Sequence, residues 1–189
     1  MKILLKVLFL IFLVSDSVSA TPIVNVETKY YKVYGATADV LRKEMNTKSP
    51  VRQSGNTYDA YTSWYVNWHF NWNISKRHCH MTTVTSSVDV EFTLPKWMNR
   101  NESNNDLKNK WDRYYSALID HENGHKNFGI NAANEIEEQL SGLPSSSSCA
   151  LLKQKANTLG KEILDKYRTN EKKYDRNSNH GVNNGAKFP

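Results

Sequence analysis

The spacing of apolar residues changes once along this chain, and that change limits the folds open to it. Up to Leu94, apolar and polar residues alternate in several segments, which is the pattern of strands with one buried face. From Leu107 to Leu140, apolar residues recur three or four positions apart, which is the pattern of a helix. Strands followed by helices indicate an α+β fold, and we expect one domain over residues 21–189.

The strand part predicts an antiparallel β-meander with a short helix after its first strand. The first strand is Val24–Val33, and Thr37 can cap the helix that follows. The third strand begins at His78 and is expected to stop at Pro95. The second strand carries its apolar face on Tyr58, Ala60, Thr62, Trp64, Val66, Trp68, Phe70 and Trp72. Such an aromatic stripe is typical of a sheet face packed on a core.

Two long helices follow the predicted sheet. The first ends at Gly142 and Pro144, and the second is expected from Cys149 to Tyr174. The last fifteen residues, DRNSNHGVNNGAKFP, have the composition of a loop. We expect this C-terminal loop to close the functional site that the helices form.

Residues 1–20 have the composition of a secretory signal peptide. Lysines precede an apolar run, Val7–Val14, and small residues lead up to Ala20. The run is shorter than the about 20 residues of a spanning helix, so export without a transmembrane segment is expected. The chain has two cysteines, Cys79 and Cys149. An even count in an oxidising compartment favours one disulfide over two free thiols.

The net charge of +6 is modest and spread along the sequence. No Lys/Arg block or glycine-rich phosphate loop is present, so nucleic-acid binding is not expected. A weak attraction to an anionic envelope surface remains compatible with the charge.

The segment LIDHENGHKNFG contains the strongest chemical pattern of the chain. Two helical positions four apart point in nearly the same direction, so His121 and His125 can bind one metal ion. Glu122 lies beside them and can act as the base for a zinc-bound water, as in the H-E-x-x-H arrangement of metallopeptidases. The competing interpretation is a polar helix face without metal. Gly124 lowers helix propensity, which makes sense if a neighbour packs closely on that turn.

A catalytic zinc site needs a third protein ligand, which the motif does not identify. The extended histidine pattern fails, because Asn131 stands where the next histidine would be. Glu137 and Glu138 lie too far along the same helix to reach back. We expect His180, in a glycine-containing loop, to supply the ligand. The other histidines are His69, His78 and His80.

Six blocks of the chain are distinctive: YKVYGATADVLRKEM, YDAYTSWYVNW, CHMTTVTSSVDVEFTLPKW, WDRYYSALIDHENGH, SSSSCALL and YDRNSNHGVNNGA. In these blocks the chain resembles a family of bacterial exported proteins, the domain of unknown function 922 family, predicted to be secreted zinc-dependent proteases. The resemblance implies that His121, Glu122 and His125 form the zinc motif. It also implies that Cys79 pairs with Cys149, and that His180 belongs to the site. Localisation would be periplasmic or extracellular.

The expected function is that of a zinc metallopeptidase acting on a peptide or protein substrate. Tyr174 or Arg176 could donate to the oxyanion formed during attack, and Asp120 could orient a ligand. Two alternatives stay open. One is a non-catalytic envelope binding module with a structural or absent metal, which a fourth ligand such as His78 or Asp175 would favour. The other is a zinc amidase acting on cell-wall peptides.

Overall fold

A computed structural model describes residues 21–53 and 55–189 of the chain. Its long elements are β1 (Ile23–Val33), α1 (Ala38–Lys48), β4 (Tyr61–Ser75), β5 (His78–Trp97), α2 (Asn105–Ser141) and α3 (Cys149–Ser178). Short elements are β2 (Arg52–Gln53), β3 (Asn56–Thr57) and two 3-10 turns, Arg100–Glu102 and Val182–Asn184. The predicted α+β class is confirmed. The predicted signal peptide lies outside the described residues.

The main sheet has the order β1-β5-β4, and the direction of β1 differs from the prediction. β4 and β5 form the expected antiparallel hairpin, but β1 runs parallel to β5. The reason lies in the connection through α1 and β2–β3, which returns the chain to the end of β1 before β4 begins. Lys29 of β1 and Tyr61 of β4 both align with Thr93. β4 therefore runs back along the sheet, and β5 follows the direction of β1.

β5 also continues past the proline at which we expected it to stop. Pro95 is buried within the strand, which ends at Trp97. β4 reaches only as far as the position opposite Thr93, so β5 is an edge strand on that side at residue 95. An edge position tolerates the missing N–H of proline.

The aromatic face of β4 packs on α2 only over its first half. Ala60, Trp64 and Val66 are buried, and a Cβ on Gly129 of α2 would lie 3.0 Å from the side chain of Trp64. Further along the strand burial declines, and Trp72 is 39% exposed. The alternation predicted which face is apolar, but the helices cover only part of that face.

Both long helices begin at side-chain caps. Asn104 accepts from the amide of Leu107, and Ser148 accepts from the amide of Leu151. α2 ends at Gly142 as predicted. α3 runs four residues beyond its predicted end at Tyr174 and stops at Asn179, which has a left-handed φ of 50°. None of the helices in residues 21–53 and 55–189 is long and apolar enough to cross a bilayer.

The extra turn of α3 corrects the prediction that the chain is a loop from Asp175 onward. The Ser178 hydroxyl donates to the carbonyl of Tyr174 and accepts from the amide of Gly181, which connects the last turn to the segment that follows. Beyond it, Phe188 packs against Trp111 and Tyr114 in the core. The C-terminal segment therefore folds back over the helices and lies against the site.

The predicted disulfide between Cys79 and Cys149 is present. It joins the first turn of α3 to the start of β5, where Cys79 also forms an isolated bridge with Ser146. The bond therefore links the sheet to the second helix at the end of the molecule distant from the HENGH motif.

Replacing both cysteines by alanine should lower the free energy of unfolding by about 4 kcal/mol, since the disulfide closes a long loop in the unfolded chain. The two cysteines are 70 residues apart in sequence. Urea unfolding of the oxidised parent and the double variant measures this difference. The parent under reducing conditions should match the variant. A difference near zero would show that the disulfide does not constrain the unfolded chain.

Candidate metal centre

His121 and His125 converge on one point, as their spacing on α2 predicts. Both side chains are buried, and their Nε2 atoms are 3.2 Å apart. Their rings are nearly perpendicular, at 89°. Two ring nitrogens this close present a pair of ligands for one cation.

Asp175 on α3 provides a third possible ligand atom, a carboxylate oxygen, at the same point. Its Oδ1 lies 3.2 Å from Nε2 of His121 and 3.0 Å from Nε2 of His125. The sequence suggested Asp175 only as a fourth ligand and gave the third position to His180. The sequence analysis did not place Asp175 beside the two histidines because it expected α3 to end at Tyr174. Because α3 continues for one more turn, Asp175 lies on the helix, and its carboxylate points at the two histidines.

These three atoms fit a zinc ion. They form a triangle with sides of 3.0 to 3.2 Å. In a tetrahedral zinc site with bonds of about 2.0 Å, ligand atoms are about 3.3 Å apart. Two imidazole nitrogens and one carboxylate oxygen are also ligands that zinc commonly takes in catalytic sites. We call His121, His125 and Asp175 the ligand triangle.

His180 lies beside the ligand triangle. Its Nδ1 is 3.6 Å from Oδ1 of Asp175, and its ring packs on Tyr58 with centroids 4.5 Å apart. The imidazole is 41% exposed, in contrast to the buried pair on α2. Its backbone has a left-handed φ of 51°, directly after Asn179, the residue at which α3 stops. His180 thus belongs to the site but not to the group of mutually close ligand atoms.

Glu171, one turn before Asp175 on α3, fixes the orientation of His125. Its Oε1 lies 3.0 Å from Nδ1 of His125, and the indole of Trp64 donates to the same oxygen at 2.8 Å. A carboxylate can only accept, so Nδ1 carries a proton, and Nε2 is the atom that faces the triangle and can bind a metal ion once it is deprotonated. This is the role that the sequence analysis gave to Asp120. Asp120 is exposed and, in the described part of the chain, bonds to neither histidine.

Tyr174 holds the other histidine by stacking. Its ring lies 4.9 Å from that of His121 at an angle of 13°, and its hydroxyl is 3.3 Å from the carbonyl oxygen of His121. The Nδ1 atom of His121 is buried without a hydrogen-bond partner among the described residues. Tyr174 and Arg176 are not among the residues that line the cavity in front of the triangle. The structure thus does not bring either side chain to the position of an oxyanion.

Glu122 is buried and reaches the cavity from the same helix. Thr62 of β4 donates to its Oε2 at 2.5 Å. Burial raises the pKa of the Glu122 carboxyl, and the Thr62 hydrogen bond offsets only part of that effect. Thr62 was not among the predicted site residues. The sequence signal was present, because Thr62 is a hydroxyl residue within the apolar alternation of β4.

The charges of the site favour a bound cation. Burial by itself lowers the pKa of His125, but the hydrogen bonds with Asp175 and Glu171 outweigh it and raise the pKa to about 10. Burial raises the pKa of Asp175, but hydrogen bonds from His121 and His125 outweigh it and lower the pKa. A proton on His125 therefore offsets part of the charge of the two carboxylates, and a divalent cation would take over that role.

The ligand triangle opens onto a cavity of about 430 Å³. Its lining includes Glu122, Thr62, Tyr61 and His180. Protein atoms thus surround one side of the triangle, and the other side faces a space large enough for part of a substrate. An ion held by the triangle would have one side open to this space.

Gly124 allows α3 to approach α2 closely. The sequence analysis expected such a close neighbour from the glycine at this position. A Cβ at this position would lie 2.4 Å from the hydroxyl of Tyr174. Gly124→Ala should therefore destabilise the fold by about 1–3 kcal/mol through overpacking. In a Tyr174→Ala background the same change should stabilise by up to about 1 kcal/mol, because alanine is the better helix former. Denaturant unfolding of the four proteins tests this change of sign.

Gly142→Ala is a matched control, since a Cβ there meets its nearest atom at 3.6 Å. It should leave the free energy of unfolding nearly unchanged. A stabilising Gly124→Ala in the parent would contradict the close approach of α3.

The family model described as a bacterial protein of unknown function, DUF922, matches residues 28–181. The match includes the motif on α2, the end of α3 and His180. No match was found among curated proteins or among solved structures. Since the matched region covers most of the chain, this protein belongs to the DUF922 family of bacterial proteins of unknown function.

Proposed function

We propose that this protein is a zinc-dependent hydrolase that cleaves peptide bonds. One observation carries the proposal. Three ligand atoms, 3.0 to 3.2 Å apart, lie at the wall of a cavity that is also lined by a buried glutamate. The three ligands are two imidazoles and one carboxylate. They would leave one side of the ion open, as a catalytic zinc site requires.

His121, His125 and Asp175 would hold the ion in this proposal. Bound zinc supplies Lewis acidity, which lowers the pKa of water and polarises a carbonyl oxygen. Glu171 keeps the proton of His125 on Nδ1, so that Nε2 stays available as a ligand. Tyr174 keeps the ring of His121 in place by stacking.

Glu122 is the residue that would move the proton. Its carboxyl is buried beside the triangle, and its raised pKa brings its proton affinity closer to that needed at neutral pH. Thr62 fixes Oε2 by donating a hydrogen bond, which leaves Oε1 to accept a proton from the attacking water and to pass it to the leaving amine.

An open site with three ligands favours hydrolysis over a structural metal. Structural zinc sites are closed by four protein ligands, and His78, one of the fourth ligands considered, is on the hairpin at the far end of β4. His180 is nearer, but its ring lies against Tyr58 and is partly exposed. A partly exposed imidazole at that place suits contact with a substrate better than closure of the site.

The proposal also includes export of the protein from the cytoplasm. The disulfide belongs to an oxidising compartment, and the N-terminal sequence has the pattern of a signal peptide. A peptidase of this kind would act in the periplasm or outside the cell.

Metal analysis of single variants tests the proposed ligands. The purified parent, loaded with zinc and dialysed, should retain one zinc per chain. His121→Ala, His125→Ala and Asp175→Ala should each lose it, since removal of a ligand costs more than the about 100-fold that follows loss of an outer partner. His180→Ala should retain it. Asp165→Asn is the control on α3, because Asp165 is 77% exposed.

Two outcomes would contradict this assignment. A parent without zinc after loading would exclude the metal centre. Loss of zinc in His180→Ala together with retention in Asp175→Ala would return the third ligand position to His180.

Glu122→Gln separates metal binding from catalysis. The variant should keep its zinc, because the ligand triangle is untouched, but peptide hydrolysis should fall by about 100-fold to 10,000-fold. Activity is measured on a peptide library in parallel with cell-wall peptides that offer amide bonds. Equal rates for parent and variant would exclude Glu122 as the base. Cleavage confined to the cell-wall amides would change the substrate class to that of an amidase.

A further inference from the structure

The charges of the chain are unevenly distributed in space, although they look scattered in the sequence. No Asp or Glu occurs in residues 60–88, which form most of the β4–β5 hairpin. None occurs in residues 139–161, which form the α2–α3 connection and the first turns of α3. The disulfide and the hydrogen bond from Trp68 to Asn157 join these two segments along one side. The fold thus brings the acid-free segments together.

We define the basic end as the hairpin tip, residues 72–80, together with the start of α3, residues 149–155. Its cations are Lys76, Arg77, Lys153 and Lys155, all exposed. Within the described part of the chain, none of them has a carboxylate within ion-pair distance. His78 and His80 add to this surface. Uncompensated charge of one sign favours an anionic partner.

The basic end also exposes large apolar side chains. Ile74 is 67% exposed, Trp72 is 39% exposed and Leu151 is 37% exposed. Trp72 and Ile74 lie two residues apart on one strand, so both point to the same face. Apolar and aromatic side chains among lysines and arginines are the composition of surfaces that enter a membrane interface.

We propose that the basic end docks the protein on a bilayer containing anionic lipids. The cations would contact lipid phosphates, while Trp72 and Ile74 enter the boundary between headgroups and acyl chains. A soluble anionic polymer would pair with the cations but would leave the apolar side chains in water. The apolar tip therefore favours the bilayer as the partner.

Docking at this end would determine the height of the candidate metal centre above the membrane. The strand from Thr62, beside Glu122, to Ser75 at the tip is about 40 Å long. The helix from Cys149 to Asp175 has a similar length of about 40 Å. The cavity would therefore lie up to about 40 Å from the lipid, within reach of proteins or polymers next to the membrane. The docking proposal does not depend on the chemistry of that cavity.

Vesicle sedimentation tests the proposal, with residues 21–189 and vesicles of phosphatidylcholine with or without phosphatidylglycerol. The parent should bind only vesicles that contain phosphatidylglycerol, and binding should weaken as salt increases. Lys76→Asn with Arg77→Gly should weaken it by about 30-fold. Both turn residues have left-handed φ values, of 49° and 66°, so Asn-Gly suits the turn and the hairpin should remain folded.

Lys32→Gln with Lys48→Gln is the matched control. It removes the same net charge from exposed positions outside the basic end, and vesicle binding should change by less than about twofold. Ile74→Ser should weaken vesicle binding by at least about threefold and leave binding to soluble polyphosphate unchanged. Equal losses in the tip variant and the control would overturn the proposal, as would no binding by the parent. An unaffected Ile74→Ser variant would overturn the bilayer as the partner and favour a polymer.

Discussion

The close contact between α2 and α3 at Gly124 is the interaction on which the candidate site depends. The absent side chain at Gly124 lets Tyr174 lie against the helix and stack on His121. Glu171 lies beside both Tyr174 and Asp175 on α3, since helical positions three and four apart are neighbours. One contact between two helices thus brings an orienting carboxylate to His125 and a ligand carboxylate to both histidines.

This contact also concentrates negative charge where the protein has little water. Glu122 is buried, and Asp175 and Glu171 both bond to His125. Carboxylates gathered in this way destabilise a fold unless a cation balances them. A proton on His125 supplies part of that balance, and a divalent ion would supply more. The stability of the contact between the helices is therefore expected to rise with metal binding, because metal binds the folded site alone.

Sequence reasoning identified those parts of the site whose geometry is local. The convergence of His121 and His125 follows from helical spacing, and Glu122 comes with it. Asp175 was missed as a candidate third ligand because its position depends on one more turn of α3, whose polar sequence resembles a loop. The direction of β1 was missed because alternation indicates the buried face of a strand and not its direction. The basic end was missed because its charges come from two segments joined only by the fold.

Anomalous diffraction at the zinc absorption edge, on crystals of the zinc-loaded protein, tests the central claim most directly. The account predicts one peak per chain within bonding distance of His121 Nε2, His125 Nε2 and Asp175 Oδ1. It also predicts that His180 remains outside the coordination sphere and that the fourth position faces the cavity. A zinc ion held by four protein side chains, or bound by His180 in place of Asp175, would contradict the account.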